Sequence, residues 1–414
     1  MGYVEKRQEF RPESGEAPFE SGEIFFSRTN KRGIIQSGNY IFRRVAYYEW
    51  DQLLGGSHKL IRHPDMPKGV FQLFWDTLNR GEPIGVYVKN KAKDGLHYWV
   101  FAVAMPFHDG FLSVRIKPSS DVLEIIKAEY ASLLLAEQKD GIKPSESAKI
   151  LLERINTLGF ADYTSFESDC LMRELAARDK AMGNPVSPYI SMFDEMMRLA
   201  SELKQTTTDI SKKFKEISVV PTNLRIIAAR LEPSGGAISS LAQNYWAMSE
   251  EMSEWFNKNV NNDASDFAKI HETLNSCKFL FGTAGILLTM NTEYNMERRS
   301  LSDFDLEHEK KQINELQKQY VTKAFARLDN VSDVVRHIIA SVGVMRRYTL
   351  GLSSTRVMCN IESARIVEDG QSLNHVIAQL EMFQKSTEDM LEKIEVLCQG
   401  ISSLTFDLHN EHIA

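Results

Sequence analysis

Hydrophobic and polar residues change their spacing near residue 120 of this 414-residue chain. Before that point, three runs have the β-branched and aromatic content of strands: IGVYVKN, LHYWVFAVAMP and FLSVRIK. The turns KDG and HDG separate these runs and are typical of tight hairpins. EIFFSR and GIIQ are two further strand candidates, whereas GVFQLFWDTLN repeats its apolar residues at helical spacing. The pattern predicts an α+β domain with a five-stranded antiparallel sheet and helices on one face.

Apolar spacing becomes helical after residue 120 and stays helical to the end of the chain. Heptads with alternating three- and four-residue steps run from Phe193 to Ile217 and from Leu373 to Leu404, as in a coiled coil or helical bundle. Each heptad region adjoins a glycine bend, and the sequences AARLEPSGG and SARIVEDG at the two bends are similar. The repeat predicts an all-α region of two tandem hairpins, with bends near Gly235–Gly236 and Gly370, packed as one antiparallel bundle.

The same pattern divides the chain into five parts. They are a flexible N-terminal arm at 1–22, the sheet domain at 23–120, a helical connector at 121–186, a first helical hairpin at 187–300 and a second at 301–414. The arm is predicted because its residues are charged and contain no apolar run.

Composition and charge narrow the classes of function. The net charge of −7 provides no overall basic field for nucleic acid or an anionic membrane. The four cysteines show no CxxC spacing, so neither a disulfide framework nor a zinc site is expected, and a reducing compartment fits. The longest apolar run, at 279–290, is shorter than the roughly 20 residues that span a bilayer. These features predict a cytoplasmic protein without a membrane span.

In one short stretch, LIRHPDMPKG at 60–69, a cation and an imidazole stand directly before a proline, and a carboxylate lies between that proline and a second one. Arg62 can bind an anionic phosphate through two hydrogen bonds, and proline restricts the backbone between His63 and Asp65. Asn90 ends a strand and offers both a donor and an acceptor to a polar ring edge. Trp75 and Trp99 offer aromatic surface for stacking. These residue types offer a cation, polar hydrogen-bonding groups and aromatic surface to a ligand.

Structural roles are the alternative for the same residues. Asp65 can cap the helix that follows it, and His63 can be a histidine held by internal hydrogen bonds. Trp75 and Trp99 can belong to the apolar core.

The motifs RHPDMP, GEP at 81–83, VKN at 88–90, DG at 94–95 and YWV at 98–100 occur in a characteristic order and spacing. Over about residues 23–120 the chain therefore resembles the PAS domain of the bacterial aerotaxis receptor Aer. The resemblance implies a domain that binds FAD without a covalent bond and senses redox state or oxygen. It further implies flavin contacts at Arg62, His63, Asp65, Trp75 and Asn90.

One residue departs from the pattern of this family, because Ile84 stands where a tryptophan usually follows GEP. The departure leaves haem open as an alternative cofactor, held by one histidine as in some PAS domains. His58, His97 and His108 are the candidate ligands.

The helical region carries a second resemblance. PTNLRIIAARLE at 221–232 and IESARIVEDG at 361–370 are similar to the signalling hairpin of the methyl-accepting chemotaxis receptors, although the sequences after both bends differ from it. The resemblance implies a possible homodimer and, as partners, the kinase CheA and the adaptor CheW. Charged residues beside the bends are the candidate partner-binding residues: Glu232, Glu362 and Arg365.

The combined expectation is a signal-transduction protein, not an enzyme, with a flavin-binding PAS input and a receptor-like helical output. The sequence contains no acid–base pair for a substrate and no GxGxxG, P-loop or HExxH motif. A scaffolding protein with a ligand-free PAS dimerisation domain is the alternative from another class.

Overall fold

A computed structural model of the protein describes residues 10–217, 220–230, 236–259, 265–296, 306–364 and 370–413. The strands are β1 (Phe25–Asn30), β2 (Ile35–Gly38), β3 (Ile84–Lys91), β4 (His97–Phe107) and β5 (Gly110–Ile116). The first six helices are α1 (Tyr40–Ala46), α2 (Trp50–Leu53), α3 (Lys68–Asn79), α4 (Val122–Asp140), α5 (Pro144–Thr157) and α6 (Tyr163–Ala181). They are followed by α7 (Pro188–Ile217), α8 (Val220–Arg230), α9 (Gly236–Asn259), α10 (Asp266–Met296), α11 (Leu306–Ser363) and α12 (Gly370–Ile413).

The five strands form one antiparallel sheet in the order β2-β1-β5-β4-β3. Its two long hairpins join β3 to β4 and β4 to β5, with Asn90 opposite Tyr98 and Phe107 opposite Gly110. The predicted α+β sheet, followed by a helical region, is thereby confirmed. Successive residues of a strand point to opposite faces, so β3, β4 and β5 each supply side chains to both sides of the sheet.

The N-terminal residues 10–22 pack against the sheet, in contrast to the flexible arm predicted for 1–22. The amide of Ala17 donates to the carbonyl of His97 at 2.7 Å, and the amide of His97 donates to Gly15 at 3.0 Å. Phe19 is buried, with its ring centroid 5.6 Å from that of Phe25. A charged segment thus becomes ordered because two of its few apolar residues, Ala17 and Phe19, are removed from water.

Contacts among the described residues divide the chain into two compact units. The first comprises Met1–Ile190 and Asn275–Ala326, and the second comprises Ser191–Leu274 and Arg327–Ala414. The sequence pattern had placed 275–326 in the two helical hairpins. The structure instead groups these residues with the sheet, because the apolar run of α10 packs there: Gly282 lies against Leu171 of α6, and Phe279 lies beside Gly85 of β3.

The second unit is helical and contains α7, α8, α9 and α12 with parts of α10 and α11. Phe214 of α7 lies in its core, with its ring centroid 4.8 Å from those of both Phe256 in α9 and Phe383 in α12. The helix α9 begins at Gly236 and α12 begins at Gly370, at the two predicted bends. The bend residues themselves, 231–235 and 365–369, lie outside the described residues. In the described part of the chain, no helix is both long and apolar enough to cross a bilayer.

A pair of phenylalanines tests the packing of the N-terminal segment. We expect Phe19→Ala to destabilise the sheet unit by about 3 kcal/mol, because the side chain is buried against other rings. Phe10 is 90% exposed, so Phe10→Ala should change stability by less than about 0.5 kcal/mol. Native-state hydrogen exchange of the β1 amides measures both changes, and equal, small effects would mean that the segment is loose in solution.

Candidate functional site

A cavity of about 110 Å³ lies between α3 and one face of the sheet. Its walls are aromatic, because the apolar stripe of α3 faces the strands: the ring of Trp75 is 5.2 Å from that of Phe74 and 5.5 Å from that of Phe111. The sheet leaves room for the cavity because it presents small side chains there, Ala102 and Ala104. The full lining comprises Ser27, Thr29, Arg32, Gly33, Ser57, His58, Lys59, Arg62, Phe71, Phe74, Trp75, Leu78, Val88, Asn90, Ala102, Ala104, Phe111, Ser113 and Arg115.

A buried cation stands at one side of this cavity. Arg115 of β5 is 3% exposed, and its Nη2 atom donates to Ser27 Oγ at 2.9 Å and lies 2.7 Å from Nε2 of His58. The Nη1 atom is buried and has no hydrogen-bond partner among the described residues, and no carboxylate there forms an ion pair with Arg115. Burial lowers the pKa of Arg115 to about 10, so the group keeps its charge at neutral pH. The geometry therefore leaves one charged donor available to an acceptor.

His58 is the neutral partner of this arginine. Burial, together with the charge of Arg115, lowers the pKa of His58 to about 3. Because Nε2 faces the donor of Arg115, the neutral ring accepts there and carries its proton on Nδ1. The ring also stacks on Phe42 of α1, at 6.1 Å between centroids. His58 thus orients the guanidinium and adds no charge of its own.

Three of the five predicted ligand contacts, Arg62, Trp75 and Asn90, do line the cavity. The Arg62 guanidinium lies over the ring of Phe71, 3.7 Å from its centroid, and burial lowers the pKa of Arg62. Asn90 is 3% exposed and is linked to Arg62 by an isolated β-bridge. The Asn90 carboxamide lies in the cavity lining, where it offers a donor and an acceptor to a ligand.

The structure places His63 and Asp65 outside this cavity. Lys89 Nζ donates to Asp65 Oδ2 at 2.6 Å, and the amide of Asp65 donates to Nδ1 of His63 at 3.1 Å. The hydrogen bond from Lys89 lowers the pKa of Asp65, while burial lowers the pKa of His63. The two residues therefore fix the loop to β3 at the protein surface. Asp65 also does not cap α3. The first amides of that helix donate instead to the carboxylate of Glu137 in α4.

Residues 39–112, which contain this cavity, match the sequence profile of a family described as PAS fold. This part of the chain is a PAS domain. A segment of 121 residues is 35% identical to the Aerotaxis receptor of Escherichia coli (strain K12), and it covers 28% of this chain and 24% of that receptor. The chain thus matches about a quarter of the length of this relative.

Two solved structures are also matched. The light-state structure of the blue-light photoreceptor Aureochrome1 LOV is 20% identical and has a TM-score of 0.22, over 29% of this chain and 92% of that one. The Erythrobacter litoralis EL346 blue-light activated histidine kinase is 13% identical with a TM-score of 0.24, over 44% and 58% of the two chains. Because these TM-scores are low, the assignment to the PAS fold depends on the sequence matches.

Sequence reasoning missed Arg115, the buried cation of the PAS cavity. Arg115 sits in FLSVRIK, where one charged residue interrupts an apolar strand, and Ser113 two residues earlier faces the same side. That interruption was a usable signal. Of the three histidines that are candidate haem ligands, His58 is in the cavity lining, whereas His97 and His108 are not.

The remaining predicted residues lie elsewhere. Trp99 is on the other face of the PAS sheet, where its ring is 6.3 Å from that of Tyr130 in α4. The candidate partner-binding residues Glu232 and Arg365 lie outside the described residues, and Glu362 belongs to α11 but its side chain is not described. The partner site at the bends therefore stays a prediction.

The pH dependence of stability tests the environment of His58. A pKa near 3 in the folded PAS domain, against 6.5 in the unfolded chain, means that the unfolded chain binds the proton first. Stability from this group is present above pH 6.5 and is lost as pH falls towards 3, at up to about 1.4 kcal/mol per pH unit. We expect His58→Gln to flatten the decline in melting temperature between pH 6.5 and 4. His108→Gln, at an exposed position, should keep the wild-type slope.

Proposed function

We propose that this protein is a signal-transduction protein whose PAS domain binds FAD and senses redox state or oxygen. The observation that carries the proposal is the cavity itself, in which aromatic walls surround a buried cation with one unpartnered donor. The 35% identity to the Aerotaxis receptor supports a sensory role for this domain.

The residues of the cavity fit the chemistry of a flavin. Nη1 of Arg115 and the carboxamide of Asn90 suit a ring edge that presents acceptors and a donor, and Trp75 suits the ring face. The volume of the cavity restricts the size of the ligand more strictly than the lining residues restrict its chemistry. A cavity of roughly 150 Å³ holds a ligand of benzene size, so a cavity of about 110 Å³ encloses only part of a three-ring system. A flavin therefore fits if Arg62 and Phe71, which stack on each other beside the cavity, move apart.

Phosphate groups would find cations next to the cavity. Lys59 and Arg62 line both the cavity and a neighbouring groove, to which Lys68 also contributes. Arg62 is the residue suited to bind a phosphate through two hydrogen bonds. The cations favour a dinucleotide over a ring without phosphates.

A flavin supplies reversible electron transfer when it is bound. The contribution of the chain is a fixed electrostatic environment, because Arg115 stays charged and is held by Ser27 and His58. A buried positive charge beside the ring favours the redox form that carries more negative charge, since interactions between charges are stronger away from water. Arg115 is therefore expected to raise the reduction potential of the site.

The output is proposed to lie in the helical region. β5, which carries Arg115, ends at Ile116, and α4 begins at Val122, so only a short connection separates the cavity from the first helix after it. The bundle would present the bends to chemotaxis proteins such as CheA and CheW, with a homodimer possible and no catalytic activity. A cytoplasmic location completes the proposal.

The absorbance spectrum of purified protein is the test. Heat-released supernatant should show flavin absorbance and fluorescence, and chromatography should identify FAD rather than FMN. Protein that is colourless and takes up no FAD would favour the scaffolding alternative. A Soret band would favour haem, for which His58 is poorly disposed because its Nε2 lies 2.7 Å from Arg115.

The individual contacts are tested by affinity. We expect Arg62→Ala to weaken FAD binding about tenfold or more, since it removes a charge-assisted hydrogen bond worth roughly 1.5–3 kcal/mol. Asn90→Ala should weaken FAD binding about fivefold, since a neutral hydrogen bond contributes roughly 0.5–1.5 kcal/mol. Asp65→Asn is the matched control, because its side chain can still accept from Lys89 and does not line the cavity. Fluorescence titration of apoprotein measures all three. A loss for Asp65→Asn as large as for Arg62→Ala would restore Asp65 as a ligand contact.

A further inference from the structure

Two carboxylates on α6 are buried against the PAS domain without a cation. Glu167 is 5% exposed and Glu174 is 0% exposed, and among the described residues neither forms an ion pair. They are seven residues apart, which places them on one face of the helix, about two turns from each other. Burying a carboxylate costs free energy unless hydrogen-bond donors replace the water around it. The donors around Glu167 and Glu174 therefore identify the parts of the PAS domain that α6 binds.

Glu174 joins two parts of the PAS domain. Its carboxylate accepts from the hydroxyl of Tyr87 in β3 at 2.7 Å and from the hydroxyl of Ser120 at 2.6 Å. The amides of Ser119 and Ser120 donate to the same carboxylate at 2.7 and 3.1 Å. Ser119 and Ser120 lie between β5 and α4. One side chain of α6 therefore connects a strand of the cavity to the start of the helix that leaves the sheet.

Glu167 holds α6 on the same strand. β3 is at the edge of the sheet, and the amide of Gly85 in that strand donates to Glu167 at 2.8 Å. Tyr163 of α6 donates its hydroxyl to the carbonyl of Gly85, also at 2.8 Å. A Cβ atom at position 85 would come within 2.9 Å of the Phe101 ring, so glycine permits this close approach. The amide and the carbonyl of Gly85, which a further strand could otherwise pair with, are thus hydrogen-bonded by side chains of α6.

The strand β3 connects these contacts to the ligand cavity. Val88 and Asn90 line the cavity, whereas Tyr87 points to the opposite face and contacts Glu174. A shift of β3 that follows from a changed contact at Asn90 must therefore move the hydroxyl of Tyr87. Because that hydroxyl shares its acceptor with Ser119 and Ser120, its movement changes how the start of α4 is held.

We propose that Glu174 is a positioning residue that transmits the state of the PAS cavity, through Tyr87, to the start of α4, while Glu167 and Tyr163 fix α6 on β3. The inference rests on the proposed function in its choice of ligand, but the mechanical connection is a property of the chain. The structure shows the Tyr87 hydroxyl on Glu174; in this proposal a second arrangement, with the hydroxyl away from Glu174, is the other state of the switch.

The experiment measures hydrogen exchange of the α4 amides in the full chain. Two perturbations of the cavity are used: reduction of bound FAD with dithionite, and the substitution Ala102→Val, which adds volume at the cavity wall. We expect each to change exchange at the first two turns of α4 by at least twofold. In Tyr87→Phe, which removes only the hydroxyl, both responses should fall to less than half. Glu174→Gln should behave similarly, and Asp169→Asn, on α6 but bonded to Arg173, should respond as the wild type does.

The two proposals fail differently. Wild-type protein that binds no flavin would end the redox proposal, while Ala102→Val would still report on the connection. Responses of Tyr87→Phe equal to those of the wild type would overturn the role of Glu174, whatever the cofactor. Tyr87→Phe must also keep the wild-type affinity for FAD, because a changed affinity would place its effect in the cavity instead.

Discussion

Burying the guanidinium of Arg115 costs free energy unless hydrogen-bond acceptors replace the water around it. Ser27 and the neutral ring of His58 supply two of these acceptors, and neither brings a negative charge. The charge of the arginine is therefore not cancelled by the protein and is directed at the cavity. The walls of the cavity also include apolar aromatic rings, and interactions between charges are stronger in such surroundings than in water. The proposed cofactor chemistry depends on this arrangement.

The same sheet connects the cavity to α6 and to the start of α4. β3 carries Asn90 on the cavity face and Tyr87 on the other face, where Glu174 of α6 accepts from it. The carboxylate also binds the amides that precede α4. An edge strand suits such a connection, because one of its sides is not paired with another strand and can be hydrogen-bonded by side chains.

Local sequence predicted the residues of the site unevenly. Arg62, Trp75 and Asn90 do share the cavity. His63 follows Arg62 directly, but the segment between the turn at His58–Ile61 and α3 turns its side chain away, towards Asp65 at the surface. Only the position of β3 reveals this, because Lys89 of that strand binds Asp65.

Periodicity within the sequence determined the type of the elements, strands before residue 120 and helices after it, because local spacing depends on interactions between near neighbours. The tertiary structure alone decided which side chains meet. Arg115 and His58 are far apart in the sequence, as are Glu174 and Tyr87, and the apolar run of α10 joins the sheet unit rather than a hairpin. Such contacts depend on strand register and helix packing, which a local pattern of apolar residues does not encode.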